Sequence, residues 1–152
     1  MGATTYASSL AIRFKNGSVP MQVRLEKIIL FSADVLRLVR FYQDYLGLRI
    51  LSEPDENWTI LDAGGTTLAF HKIGAAYQQD SDRDQPTPSN VKIVFETNQN
   101  LDAFRQLLID NNVDVDVIRQ FTGVNYRSFD GRDPEGNVFQ VIQPFTDLKE
   151  LS

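Results

Sequence analysis

The chain has 152 residues, of which 42% are hydrophobic, 11% aromatic and 23% charged, an ordinary globular mixture that excludes extended disorder and a coiled coil. Its net charge of −5 supplies no basic stripe for nucleic acid. With no Cys there is no disulfide scaffold, no thiol catalysis and no Cys-ligated metal, and the single histidine, His71, cannot make a multi-imidazole site.

Taken in chain order, residues 1–20 read as an N-terminal extension, with a turn or linker at Asn16-Gly17-Ser18-Val19-Pro20. They carry no secretory signal, and no apolar run is long enough to span a membrane, so a cytoplasmic protein is expected. The compact domain is expected over 21–146. Its first module, about 22–74, opens on a β-rich run from Lys27. Leu36, Val39, Tyr42 and Leu46 then recur at helical spacing, with Asp34 as N-cap and Gly47 as the left-handed stop. Strands are predicted at Leu48–Ser52, Trp58–Asp62 and Thr66–Lys72, with a hairpin turn at Ala63-Gly64-Gly65. Residues 75–89 are polar, proline-containing and apolar-poor, and read as a linker.

The second module, about 90–144, repeats the first. KIVFETNQNLDAFRQLLIDNNVDV, from Lys92, aligns without a gap on KIILFSADVLRLVRFYQDYLGLRI, from Lys27. Leu101, Phe104, Leu107 and Leu108 form its apolar helix face, Asn100 its N-cap and Asn112 its stop. Strands follow at Val113–Arg119, Tyr126–Asp130 and Asn137–Gln143, with a turn at Asp133-Pro134-Glu135-Gly136. Arg132 and Asp133 before that turn read as a structural pair. The fold class is therefore α+β, two tandem βαβββ modules.

Asp34 followed by RFYQDYLGL, then GGTTLAFH, LDAFRQLL and GRDPEGNVFQVIQ, together resemble the vicinal oxygen chelate superfamily of glyoxalase I, bleomycin-resistance proteins and extradiol dioxygenases. The resemblance covers about residues 22–144. It implies the glyoxalase/bleomycin-resistance fold, a curled, cup-shaped mixed sheet around a small molecule, and a homodimer.

Strand alternation says which side chains face such a cup. Ile28 and Leu30 pack on the helix, leaving Lys27, Ile29 and Phe31 on the other face; the second copy offers Lys92, Val94 and Glu96, and the later strands Ala69, His71 and Gln140. Trp58 and Tyr126 join Phe31 as candidate stacking walls. Metal-dependent members of the superfamily place His, Gln or Glu at four positions that here hold Lys27, Ala69, Lys92 and Gln140. Ala69 cannot ligate, and protonated lysine has no free lone pair. No cofactor is expected. The two lysines suit an anionic ligand, one of them alternatively pairing with Glu96. The expected function is metal-independent binding of a small molecule, with an anion as one candidate, rather than catalysis. The alternative is a glyoxalase-like lyase or dioxygenase whose shifted metal site uses His71, Gln140 and Glu96.

Overall fold

The computed structural model describes residues 23–75 and 91–145. The expected extension, the expected linker beyond Ala75 and the tail from Thr146 lie outside them. The first module runs β1 (Lys27–Ser32), α1 (Val35–Leu46), β2 (Arg49–Ile50), β3 (Trp58–Asp62) and β4 (Thr67–Lys72). The second runs β5 (Lys92–Glu96), α2 (Leu101–Asp110), β6 (Arg119–Gln120), β7 (Tyr126–Arg132) and β8 (Val138–Pro144). Each builds its own four-stranded mixed sheet, in the orders β1-β4-β3-β2 and β5-β8-β7-β6.

The repeat holds in register. Lys27 pairs with Thr67 in the parallel β1–β4 ladder, and Lys92 with Val138 in the parallel β5–β8 ladder. Ile50 faces Leu61, and its repeat partner Val115 makes a bridge to Gly131. One residue separates the copies late on, because the second hairpin turn, Asp133–Asn137, is one longer than Ala63–Thr66.

Helix ends follow the expected chemistry. The Asp34 carboxylate accepts from the Arg37 N–H at 3.1 Å, and the Asn100 side chain from the Ala103 N–H at 2.8 Å, each satisfying a donor left over by the first helical turn. Gly47 and Asn112 both turn left-handed, at φ 68° and 58°. Two strands fall short of expectation. β2 keeps two residues, since Ser52-Glu53-Pro54 follows and proline has no N–H to give a ladder. In the second copy, pairing along 113–119 reduces to the Val115 bridge and β6, while the Asp114 and Asp116 side chains reach Arg132.

One core serves both modules, because α1 lies between the two sheets. Val35, Leu38, Val39, Phe41 and Tyr42 are buried, with Leu36 only half-buried at the edge of that face. The Tyr42 ring meets Phe70 of β4 at 5.3 Å and Phe95 of β5 at 6.2 Å, and Phe41 meets Phe139 of β8 at 5.8 Å. Each such side chain contributes about 1.5–3 kcal/mol by leaving water. Helix α2 covers β7 and β8 through Leu101, Leu108 and a Phe104–Phe129 contact at 6.1 Å. Leu107, expected on the same face, is instead 51% exposed, because no described element closes over that end of α2.

Arg132 and Asp133 do not pair. Successive strand residues point to opposite sides, so Arg132 reaches Asp114 and Asp116 while Asp133 turns inward to accept from the Tyr42 hydroxyl at 2.9 Å. Burial first, then the Asp133 carboxylate, pushes the Tyr42 phenol far above its ordinary value. The same turn sends Glu135 across to the first module. Its carboxylate accepts from the Ser32 hydroxyl at 2.8 Å and from the Ala33 and Asp34 N–H groups at 3.2 and 2.9 Å.

Candidate functional site

With the helices on one side, the opposite side of each sheet is open, and alternation places Lys27, Ile29, Phe31, Trp58 and His71 there in the first module. These form an aromatic wall. Trp58 and His71 are directly opposed in the β3–β4 ladder, with the Trp58 ring edge-on to the imidazole at 5.3 Å. Phe31, 63% exposed, reaches the other side of His71 at 5.6 Å. The Lys27 ammonium stands 5.7 Å above the Trp58 ring, within cation–π range. Ala69 differs from its expected role. Flanked in the sheet by Ile29 and Ile60, it is completely buried and presents no surface to a ligand.

The second module's open face is polar. Lys92 reaches the Asp130 carboxylate at 2.5 Å through one oxygen, and the Gln140 amide donates to the other at 2.8 Å. Asp130 thus brings together two of the residues that the internal repeat singled out. Both oxygens are occupied, which leaves the remaining Lys92 N–H groups and the Gln140 carbonyl available to a ligand. A hollow of about 230 Å³ opens over this trio, walled by Ser128, Asp116, Val117, Arg119 and Phe121. The loop carrying that wall is pinned where Arg105 donates to the Asp116 carbonyl at 2.6 Å.

The remaining candidates are less central. Tyr126 lies at the far end of β7, opposite Pro144, half-buried and outside the hollow. Val94 and Glu96, on the edge strand β5, border a different cavity between the modules. Glu96 does not pair with Lys92, whose partner is Asp130. The three residues of the alternative metal site are each engaged elsewhere or apart: His71 between aromatic rings, Gln140 on Asp130, Glu96 at the inter-module cavity. Among the described residues no three His, Cys, Asp or Glu side chains cluster as they would around a metal ion. No helix among them is long and apolar enough to cross a membrane.

Asp130 is the residue that sequence reasoning missed. The signal was present: it lies four positions along the same strand from Tyr126, and so on the same face. Arg119 and Phe121 could not be found that way, because Arg119 sits on the two-residue strand β6 and Phe121 in the loop that follows it.

A family profile described as Glyoxalase/Bleomycin resistance protein/Dioxygenase superfamily matches residues 24–141. Among solved structures, this chain is similar to the genomically encoded fosfomycin resistance protein FosX from Listeria monocytogenes. The TM-score is 0.64 at 16% identity, covering 87% of this chain and 100% of that one. It is similar also to a lactoylglutathione lyase from Agrobacterium tumefaciens, with TM-score 0.60, 17% identity and coverage of 81% and 95%. TnmS3, an antibiotic binding protein from Streptomyces sp. CB03234, gives TM-score 0.61, 19% identity and coverage of 82% and 98%. At these identities the likeness is one of fold. No curated protein matches the sequence significantly.

Proposed function

The chain belongs to the Glyoxalase/Bleomycin resistance protein/Dioxygenase superfamily, and within it we propose a metal-independent binder of a small, planar, anionic molecule held against the open sheet faces. The observation that carries this reading is the engagement of Lys92 and Gln140 by Asp130. Of the four positions that hold metal ligands in metal-dependent relatives, two here are ammonium groups and one is a buried methyl. The fourth is an amide whose nitrogen is spent on a carboxylate. Two ammonium groups and a methyl do not hold a divalent cation, whereas the Lys92 N–H groups not used by Asp130 can donate to a carboxylate-bearing ligand. The aromatic wall of Trp58, His71 and Phe31 supplies the stacking surface, and an antibiotic-binding relative of this fold is consistent with such a use.

The exposed Ile29 and Phe31, at 45% and 63%, give the open face an apolar surface that a second copy would cover, so the reading includes a homodimer. A Cys-free chain suits the cytoplasm.

The test is metal analysis of untagged protein purified without chelator, then melting-temperature screening against aromatic carboxylates. The expected result is no retained metal and a ligand-dependent rise, about 2.7 kcal/mol at a hundredfold excess over Kd. Replacing Lys27 and Lys92 together by Met should abolish the rise and leave the unliganded melting temperature nearly unchanged. Near-stoichiometric bound metal, with turnover lost to chelator, would instead establish a lyase or dioxygenase.

A further inference from the structure

Besides the shared core, the described residues of the two modules meet at two junctions related by the internal repeat, and among those residues one junction is filled and the other is not. At the first, Tyr42 meets Asp133, and Glu135 seals against Ser32, Ala33 and Asp34. The repeat carries Tyr42 to Leu107, Asp133 to Ala63, and Ser32–Asp34 to Thr97–Gln99, while the shorter turn puts Gly64 where Glu135 projects. The three groups that fill the first contact, the Tyr42 phenol and the Asp133 and Glu135 carboxylates, are thus replaced by Leu107, Ala63 and Gly64, while Thr97 and Gln99 keep polar side chains at the cleft. What remains there is a cleft of about 660 Å³ bordered by Ala63, Gly64, Thr97 and Leu107.

The cleft has its own chemistry. Its apolar lining comes from Tyr45, Leu48, Val94, Phe104 and Leu107, of which Val94 and Leu107 are half-exposed. Among the described residues its rim carries Asp44, Asp62 and Glu96 against one cation, Arg49, and Arg49 is bound to Asp62 at 3.0 Å. Among the described residues, the Asp44 and Glu96 carboxylates have no hydrogen bond or ion pair. The C-terminal end of α1 opens on the same cleft with no basic residue in its last turn, so its carbonyl dipoles add to the negative field.

We propose that this cleft is a second binding site, separate from the open sheet faces, for a small apolar monocation such as an aralkyl amine. The ammonium would sit between Asp44 and Glu96, and the hydrocarbon body would cover Leu107 and Val94. Tyr45 and Phe104 add aromatic surface to the same lining. A carboxylate ligand is repelled by the rim that attracts an amine, so the two sites select opposite charges.

The test uses the whole chain, isotope-labelled, titrated with phenethylamine, with its neutral analogue 2-phenylethanol and with 3-phenylpropionate, followed by amide chemical shifts. Phenethylamine should move Asp44–Arg49 and Val94–Thr97 saturably and leave Lys92, Asp130 and Gln140 in place. Asp44→Asn with Glu96→Gln should weaken it about tenfold while leaving 2-phenylethanol unchanged. Leu107→Trp, at an exposed position, should block both. Equal shifts from amine and carboxylate, shifts confined to the open faces, or no saturation for any probe would each overturn the proposal. None of these results depends on whether the open faces bind an anion.

Discussion

The two halves of this protein share a backbone and differ in almost every functional side chain. At equivalent open-face positions the first module has Trp58, Ile60, Ala69 and His71 where the second has Ser128, Asp130, Gln140 and Ile142. Only the lysines are kept, and even they do different things: Lys27 lies over an aromatic ring and Lys92 against a carboxylate. The helix-facing sides diverge as well. Leu61 opposite Leu68 fills the first layer, and Gly131 opposite Phe139 fills the second. A duplicated frame keeps its ladders and caps because backbone hydrogen bonding requires them, whereas side chains are free to specialise wherever total volume and charge still balance.

The layer swap gives the largest expected effects. Leu61→Ala should cost about 2–5 kcal/mol in denaturant unfolding by leaving a cavity. Gly131→Ala should cost about 1–3 kcal/mol for the opposite reason, since an added Cβ would stand 2.4 Å from the Phe139 ring. Phe139→Leu in the Gly131→Ala background should recover part of that loss. No recovery would mean that the two layers are not interchangeable solutions of one packing problem.

Next in size is the sealed junction. Tyr42→Phe should cost about 1–2 kcal/mol at neutral pH by removing a buried charged hydrogen bond. The phenol is raised in the folded state, so its contribution is complete below the unfolded value of about 10 and is lost as pH rises above it. Wild type should therefore show an alkaline loss of stability that the Phe variant lacks. Glu135→Ala, which frees the Ser32, Ala33 and Asp34 donors, should cost about 0.5–2 kcal/mol, as losing a helix cap does. If it costs nothing, the contrast between a sealed and an open junction has no energetic content.

The smallest effect lies in the exposed loop before β3. Backbone donation from Asn57 and then Trp58 holds the Asp55 carboxyl below its usual range. Its contribution is present above about pH 4 and disappears as pH falls through the lower folded value. Asp55→Ala should thus flatten the acid limb of the stability curve slightly, measured against wild type from pH 5 to 2. The second module has no such turn at the start of β7, so an equal change on replacing Asn125 would break the comparison.

Much of this was legible before any coordinates. The caps at Asp34 and Asn100, the left-handed stops at Gly47 and Asn112, and the one-sided strands all follow from local chemistry, which needs only neighbouring residues. Repetition then made the register of one module a check on the other. The site was read unevenly. Lys27, Phe31 and His71 emerged as a group because alternation within strands decides sidedness, Trp58 joined them as an aromatic, and the same rule of alternation brought out Lys92 and Gln140. Alternation cannot say how far a side chain stays open, so Ala69 was expected to touch a ligand and proved buried between Ile29 and Ile60.

By itself, then, the sequence determined the two βαβββ modules, their strand faces and the absence of Cys and multi-His chemistry, all properties of composition and short-range periodicity. Only the tertiary structure decided that Asp130 takes both Lys92 and Gln140, that Tyr42 and Glu135 close one junction, and that Leu107 and Gly64 leave the other open. Those facts join residues as much as 103 positions apart. They depend on how two sheets settle against one helix, which no local pattern encodes.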